Sequence, residues 1–180
     1  PVHSLPKKPL QQQLSLLLQQ LLQLWHRLLT CPKLPETDER LLLLLKPVII
    51  AGDHPVVLIV SGAKLETKVP VVRYFLDKGD DILLGGCIAN TFIAARGFDV
   101  AESKYDPQFL DEAQDIMLES EKEENAMVHV PRDVVLATEA SEDATKLNLP
   151  VENISGDMKI FDIRKVSVER YIQVVQRAET

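Results

Sequence analysis

Residues 56–68 read VVLIVSGAKLETK, an apolar run followed by a loop of small and charged residues. Five consecutive apolar residues, Val56 to Val60, are typical of a strand that is buried on both faces of a parallel sheet. Ser61-Gly62 ends this run, and a helical pattern follows from about Leu65 to Asp77. Pro70 then falls in the first turn of that helix, where its missing N–H is not needed. The stretch therefore predicts one strand–helix unit of an α/β fold.

The alternation of strand and helix patterns continues to residue 177. Further strands are predicted at 82–84, 128–130, 134–136 and 160–163, and further helices at 88–96, 107–124 and 167–177. Strands that alternate with helices predict a Rossmann-like parallel sheet flanked by helices, with right-handed crossovers. Ligands of such sheets bind beyond the carboxyl ends of the strands, so the loops that follow the strands are candidate sites.

The overall composition is that of a folded protein. The chain has 180 residues, of which 46% are apolar and 26% charged, and its net charge is −7. This mixture excludes a disordered chain, and the acidic balance disfavours a nucleic-acid-binding protein. The two cysteines and four histidines form neither a disulfide framework nor a metal motif, so we expect no metal site made by the protein alone. A reducing cytoplasm fits this cysteine usage best.

The composition changes near residue 47, which predicts a helical Leu/Gln-rich segment at 1–46 and an α/β domain at 47–180. Within residues 10–29 the leucines recur at heptad spacing, and the stripe they form is wider than a strict coiled-coil seam. Two interpretations stay open, a helix packed on the sheet of its own chain and a helix for self-association. The six glutamines, His26 and Arg27 of this segment argue against a membrane span, and a signal peptide is not indicated.

Two loops after predicted strands carry residues suited to ligand binding. In the first, Gly62 and Ala63 are small enough for close approach of a ligand, and Lys64 and Lys68 would lie on one face if this segment is helical. Two converging ammonium groups suit a polyphosphate, although the spacing is not that of a P-loop. The alternative is a pair of solvated surface lysines.

The second loop is Gly85-Gly86-Cys87. Paired glycines allow a flat ring or another backbone to pass close to the sheet, and the alternative is a tight strand-to-helix turn. Cys87 is either a reactive thiol or a small buried side chain. Asp162 at a strand end could face a magnesium ion, but a lone aspartate is more often a cap or turn residue.

Six motifs in the same order along residues 56–172 resemble the nucleotide-binding C-terminal domain of phosphoglycerate kinase. The segment 57–71 is similar to the strand, GGAK-x-x-x-K loop and following helix of that family, and 82–92 is similar to its GGG-x-A-x-TF segment. The other similar segments are 75–78, 97–100, 130–135, and 155–158 with 162–163.

The resemblance implies a kinase that moves a phosphoryl group between 1,3-bisphosphoglycerate and ADP in glycolysis, with Mg²⁺ bound to the nucleotide. It implies that Lys64, the candidate catalytic residue, and Lys68 contact the phosphates of the nucleotide or the transferring group. It also implies that the rest of the nucleotide site consists of Gly62 and Ala63 in the same loop, Gly85 and Gly86 bordering the adenine, and Ile160 and Phe161 near it.

Several residues depart from the family pattern. Ser61 and Cys87 replace glycines of the two loops, and Arg164-Lys165 replaces the Gly-Pro of the DIGP segment. Segments resembling the phosphoglycerate-binding domain and the late nucleotide-site motifs are also missing from the sequence. We therefore expect weak binding of ADP or ATP with Mg²⁺ and negligible turnover by this chain alone. A non-catalytic or designed scaffold, and an assembly module that uses the Leu-rich helix, are the alternatives.

Overall fold

The structure is a computed structural model that describes residues 54–141 and 143–179. The predicted helical segment at 1–46, its self-association and the domain boundary near residue 47 all lie outside the described residues. The strands are β1 (Val57–Val60), β2 (Asp81–Leu84), β3 (Met127–His129), β4 (Asp133–Ala137), β5 (Lys146–Pro150) and β6 (Lys159–Ile163). The α-helices are α1 (Val69–Leu76), α2 (Gly86–Ala95), α3 (Leu110–Glu119) and α4 (Lys165–Arg177), and two short 3₁₀ helices lie at Pro107–Phe109 and Val151–Asn153.

The first three strands form a parallel sheet in the order β1-β2-β3. In this register Leu58 is opposite Ile82, which is opposite Val128. Side chains of β1 and β2 pack with α1, α2 and α3 in one core, whose buried members include Val60, Ile82 and Phe92. This arrangement confirms the predicted α/β class with a parallel sheet flanked by helices.

The strands β4, β5 and β6 form a second sheet. The sequence had predicted one parallel sheet for all strands, so the prediction was wrong for β4 and β6. The order in the second sheet is β5-β4-β6, and both pairings of β4 are antiparallel. Pro131 follows β3 and cannot donate to a ladder, so the chain leaves the parallel sheet there. A loop of eight residues, 138–145, then joins β4 to β5, and a connection without a crossover helix favours an antiparallel pair. The strand β5 was not predicted, because its sequence KLNLP has only two apolar side chains, Leu147 and Leu149, before a proline. In the structure most of this strand is exposed.

Several helix bounds differ from the predicted ones, and the structure gives a reason for two of them. α1 starts at Val69 because residues 65–68 form a separate hydrogen-bonded turn, in which Lys68 N donates to Leu65 O at 2.8 Å. Pro70 lies in its first turn, as predicted. α3 ends at Glu119, since the acidic run 121–124 would meet the negative end of the helix dipole. α4 starts two residues earlier than predicted, at Lys165.

Ion pairs and hydrogen bonds join the helices to one another and to the sheet. Arg73 of α1 donates to Glu112 at 2.6 Å and to Glu119 at 2.9 Å, both on α3. Arg170 of α4 donates through Nε to Nδ1 of His129 at 3.1 Å, and Nε2 of His129 lies 2.5 Å from Asp81 Oδ1. Within the described part of the chain, no helix is both long and apolar enough to cross a bilayer.

Candidate functional site

A cleft of about 570 Å³ opens beyond the carboxyl ends of β1 and β2. Its walls are the start of α2, the loop around residue 104 and the strand β6. The volume lies within the range of small-molecule sites, and a position beyond the strand ends is where α/β sheets bind ligands. Among the residues that line it are Ser61, Gly85, Gly86, Asn90, Ile160 and Phe161.

The paired glycines form the turn from β2 into α2. Gly85 N donates to Val60 O at 2.9 Å, which ties this turn to the end of β1. Gly86 has a φ of +59°, and a Cβ added there would lie 2.9 Å from Ser61 Oγ and 3.2 Å from Gly62 O. Glycine is therefore required at residue 86, both for the left-handed conformation and for the close approach of the two loops. The segment is a tight strand-to-helix turn, as one alternative predicted, and its two glycines also border the cleft.

Residues 62–68, which carry Lys64 and Lys68 and are called the lysine loop below, lie beside the cleft and do not line it. Leu65 of this loop is fully buried, and Leu65 N donates to Asp106 Oδ2 at 2.8 Å, which anchors the loop. Gly62 O accepts from Ile88 N at 3.3 Å, so the loop contacts the first turns of α2. Lys64 is exposed and Lys68 is half-buried just before α1. Residues 62–68 are not helical, because the helix starts only at Val69. Lys64 and Lys68 therefore do not share a helix face, as they would have done in a helix.

The structure divides the predicted nucleotide-binding residues into two groups. Gly85, Gly86, Ile160 and Phe161 line the same cleft, although the glycines lie between β2 and α2 and the other two residues belong to β6 of the second sheet. Gly62, Ala63, Lys64 and Lys68 lie in the neighbouring loop. Phe161 is 46% exposed and presents its ring at the surface of β6. An apolar wall with lysines close by suits a flat ring that carries an anionic group.

Four polar residues of the cleft did not emerge from the sequence: Asn90, Lys104, Lys159 and Tyr171. Asn90 is buried in α2 and donates through Nδ2 to Lys104 O at 3.0 Å. An asparagine between Ala89 and Thr91 in an otherwise apolar helix was the one available signal. The lysines and Tyr171 carried none, because nothing local distinguishes them from ordinary surface residues.

Tyr171 joins α4 to the floor of the cleft. Its hydroxyl lies 2.7 Å from Leu84 O and 2.9 Å from His129 O, at the carboxyl ends of β2 and β3. Burial raises the pKa of the Tyr171 hydroxyl well above its ordinary value, so it stays protonated and serves as a hydrogen-bond donor. The contact holds Leu84, the residue before Gly85, in place.

The side chains around the cleft show how Mg²⁺ could be held there. Within residues 54–141 and 143–179, no three His, Cys, Asp or Glu side chains are grouped so that they could hold a metal ion. Asp162 lines the cleft, but its Oδ1 accepts from Ile163 N at 2.8 Å. Mg²⁺ commonly binds through substrate phosphates with few protein ligands. The residues present therefore fit Mg²⁺ that arrives on a nucleotide, and they do not fit a dedicated protein cage.

Comparison with known proteins gives one consistent result. The sequence profile of the phosphoglycerate kinase family, described as "Phosphoglycerate kinase", matches residues 39–180. The phosphoglycerate kinase of Legionella pneumophila (strain Corby) is 35% identical over 136 residues, which are 76% of this chain and 34% of that protein. That of Chloroflexus aurantiacus is 36% identical over 127 residues, which are 71% of this chain and 32% of that protein.

A solved structure agrees in three dimensions. The phosphoglycerate kinase of Coxiella burnetii superposes with a TM-score of 0.71 at 32% identity, covering 76% of this chain and 35% of that one. The enzyme from Pyrococcus horikoshii, with a TM-score of 0.56 and 21% identity, shares the fold. The chain spans about a third of the length of the curated relatives it matches. By its sequence profile, its relatives and its fold, this chain belongs to the phosphoglycerate kinase family.

Proposed function

We propose that this chain binds ADP or ATP, with Mg²⁺ on the phosphates, in the cleft beyond β1 and β2. It would thereby supply the nucleotide side of phosphoryl transfer between 1,3-bisphosphoglycerate and ADP. The observation that carries this proposal is that Gly85, Gly86, Ile160 and Phe161 line one cleft. Family membership implied the same four residues as neighbours of the adenine, and their common position is independent of that resemblance.

The lysine loop has the phosphate role in this proposal. Lys64, and Lys68 four residues later, present ammonium groups beside the cleft, where they can reach phosphates that extend from a ring bound inside. A charge-assisted hydrogen bond contributes about 1.5–3 kcal/mol when it is well formed. Lys64 is exposed, so water and salt screen its charge and reduce that value. Weak affinity for the nucleotide is the expected result.

Turnover needs more than nucleotide binding. Phosphoryl transfer depends on holding donor and acceptor in line and on stabilising charge with many groups at once. We propose that residues 54–179 alone have negligible kinase activity and that a phosphoglycerate-binding domain is the partner required for it. A cytoplasmic location remains a prediction from the cysteine usage.

A non-catalytic scaffold is the second candidate, and one observation favours it. Cys87 lines the cleft at a position where the similar family motif has glycine. Its side chain occupies space that a glycine would leave to the ligand. In this candidate function the cleft persists as a remnant and takes no nucleotide.

Titration calorimetry with Mg-ADP distinguishes the two functions. The full chain is compared with Lys64→Ala/Lys68→Ala and with the control Lys78→Ala/Lys122→Ala, which removes two exposed lysines elsewhere. The proposal expects weak binding by the parent and the control, at least tenfold weaker binding by the loop variant, and affinity that falls as salt rises. Equal binding by all three proteins would refute the phosphate role of the loop. A folded parent that binds no Mg-ADP would refute the nucleotide function and favour the scaffold.

A further inference from the structure

An apolar surface lies on the face of the parallel sheet that is opposite the core of α1, α2 and α3. Ile59 lies between Leu58 and Val60, which both contact that core, so its side chain points to the other face. It is 64% exposed. The strand order β1-β2-β3 leaves the outer edge of β1 without a partner strand among the described residues. An apolar edge strand of this kind is a typical site for contact with another segment of chain.

The helix α4 lies on the same face of the sheet as Ile59. In the sheet register Ile59 is opposite Leu83, which in turn is opposite His129. The ring of His129 accepts the hydrogen bond from Arg170 of α4. Arg170 therefore marks the side of α4 that is turned towards β3. β1 lies at the opposite edge of the sheet, beyond the other side of the helix.

The side of α4 that is turned towards β1 is apolar. Val168, Ile172 and Val175 recur at spacings of four and three residues, so they share one side of the helix. They are between 37% and 49% exposed. Gln173, by contrast, lines a polar groove with residues of β2 and β3. Ile59, Val168, Ile172 and Val175 are called the apolar face below, and an exposed apolar surface of this kind marks an interaction site.

The chain enters the described region at one end of the apolar face. Pro55 O accepts from Glu179 N at 2.9 Å, which joins the approach to β1 to the end of α4. Val56 N donates to Asp80 Oδ2 at 2.7 Å and fixes the same entry point. The upstream part of the chain therefore starts beside the last turn of α4, about one helical turn from Val175.

The upstream chain carries an uncharged run of five leucines, Leu41 to Leu45. Removal from water is the favourable state for such a run. Leu45 is nine residues before His54, and an extended segment of that length spans at most about 30 Å. The distance along α4 from Val175 to Val168 is about 10 Å. The leucine run can therefore reach the whole of the apolar face.

We propose that the leucine run 41–45 docks on the apolar face of its own chain. A short connection holds the run at an effective concentration on the order of millimolar, far above that of a second molecule in a dilute solution. Docking within one chain is therefore favoured over an interface between two copies. The run lies within the residues 39–180 that match the family profile, so it belongs to the same domain as the apolar face. The inference concerns the assembly of this domain and does not depend on nucleotide binding.

Thiol cross-linking locates the leucine run in the full chain. Cys31 and Cys87 are first replaced by serine. Leu43→Cys is then combined with Ile172→Cys on the apolar face, or with Gln173→Cys on the other side of α4 as the matched control. A short bismaleimide should join the first pair within one chain at least about tenfold faster than the second, because docking raises the local concentration of the two thiols. Light scattering gives the mass of each product, and circular dichroism confirms that each variant is folded.

Three results of the cross-linking would overturn the proposal. They are equal or reversed rates for the two pairs, no cross-linking of either pair, and cross-links that join two chains in place of one. The last result would assign the apolar face to a second copy of the chain.

A double-mutant cycle provides a second measurement, without introduced cysteines. Leu43→Ser and Ile172→Ser are made singly and together, and urea unfolding gives the loss in the free energy of unfolding. We expect the double variant to lose less than the sum of the two single losses, because side chains in contact are not independent. Leu147→Ser, at an exposed leucine of β5, replaces Ile172→Ser in the control cycle, where the losses should add. Additive losses in both cycles would overturn the docking.

Discussion

The hydroxyl of Ser167 lies 2.5 Å from a carboxylate oxygen of Asp133, and both residues are buried. The same carboxylate accepts the backbone N–H groups of Ser167 at 2.7 Å and Val166 at 3.0 Å, in the first turn of α4. The hydroxyl oxygen accepts in turn from Arg132 N at 2.9 Å. A side chain of β4 therefore caps α4 and places Tyr171, about one helical turn later, against the ends of β2 and β3.

Replacing Asp133 by asparagine should destabilise the domain. The asparagine amide would place an NH₂ group, which cannot accept a hydrogen bond, against a buried backbone N–H at the start of α4. Loss of such a cap costs about 2 kcal/mol. Urea unfolding followed by circular dichroism gives the difference in the free energy of unfolding. Asp157→Asn, at an exposed residue, is the matched control. A loss no larger than that of the control would show that the cap does not stabilise the fold.

The same carboxylate predicts how stability depends on pH. Burial by itself raises the pKa of Asp133, but the hydrogen bonds from Ser167 and Val166 and the charge of Arg164 together lower it below its ordinary value. A pKa that is lower in the folded than in the unfolded state stabilises the protein above the unfolded pKa, about 3.9. That stabilisation is lost as the pH falls through the folded pKa. Urea midpoints measured from pH 7 down to pH 3 should fall more steeply below about pH 5 for the parent than for Asp133→Asn. Parallel curves for the two proteins would contradict this assignment.

Replacing Tyr171 by phenylalanine tests the link between α4 and the cleft floor. The variant keeps the ring but removes the hydroxyl that bonds to Leu84 O and His129 O. We expect a loss of about 1 kcal/mol in the free energy of unfolding and faster amide exchange at Gly85. Tyr105→Phe is the control, since no hydrogen bond of its hydroxyl is seen among the described residues. Unchanged exchange at Gly85 would mean that the hydroxyl does not hold the strand end.

Two glycine substitutions separate backbone strain from crowding. Gly86 and Gly97 both have a positive φ, +59° and +83°, but only Gly86 has neighbours within 4 Å of an added Cβ. Alanine at residue 97 should cost about 1–2 kcal/mol from strain alone. Alanine at residue 86 should cost at least about 1 kcal/mol more, because it presses on Gly62. It should also weaken ADP binding, and thermal unfolding with calorimetry measures both effects. Equal costs at the two positions would show that the loops need not touch.

Much of the fold was predictable because its signals are local. The apolar run at 56–60, the glycines after the first two strands and Pro70 all act on their immediate neighbours, and the elements they predicted are present. The helix bounds differed where a single distant contact or a cluster of charges decided them. The bond of Leu65 N to Asp106 helps form the turn before α1, and the acidic run 121–124 favours the end of α3 at Glu119.

The sequence alone determined the order of the helices and of every strand except β5, the parallel pairing of β1 to β3 and membership of the phosphoglycerate kinase family. These follow from short-range patterns and from motifs in a given order. Tertiary structure alone decided that β4 and β6 pair antiparallel, that Ser103 holds Ile160 across 57 residues, and that Tyr171 reaches Leu84 across 87. The physical reason is that hydrogen bonds and charge pairs form by distance in space. Residues far apart in the chain leave no periodic or compositional trace of the partner they will meet.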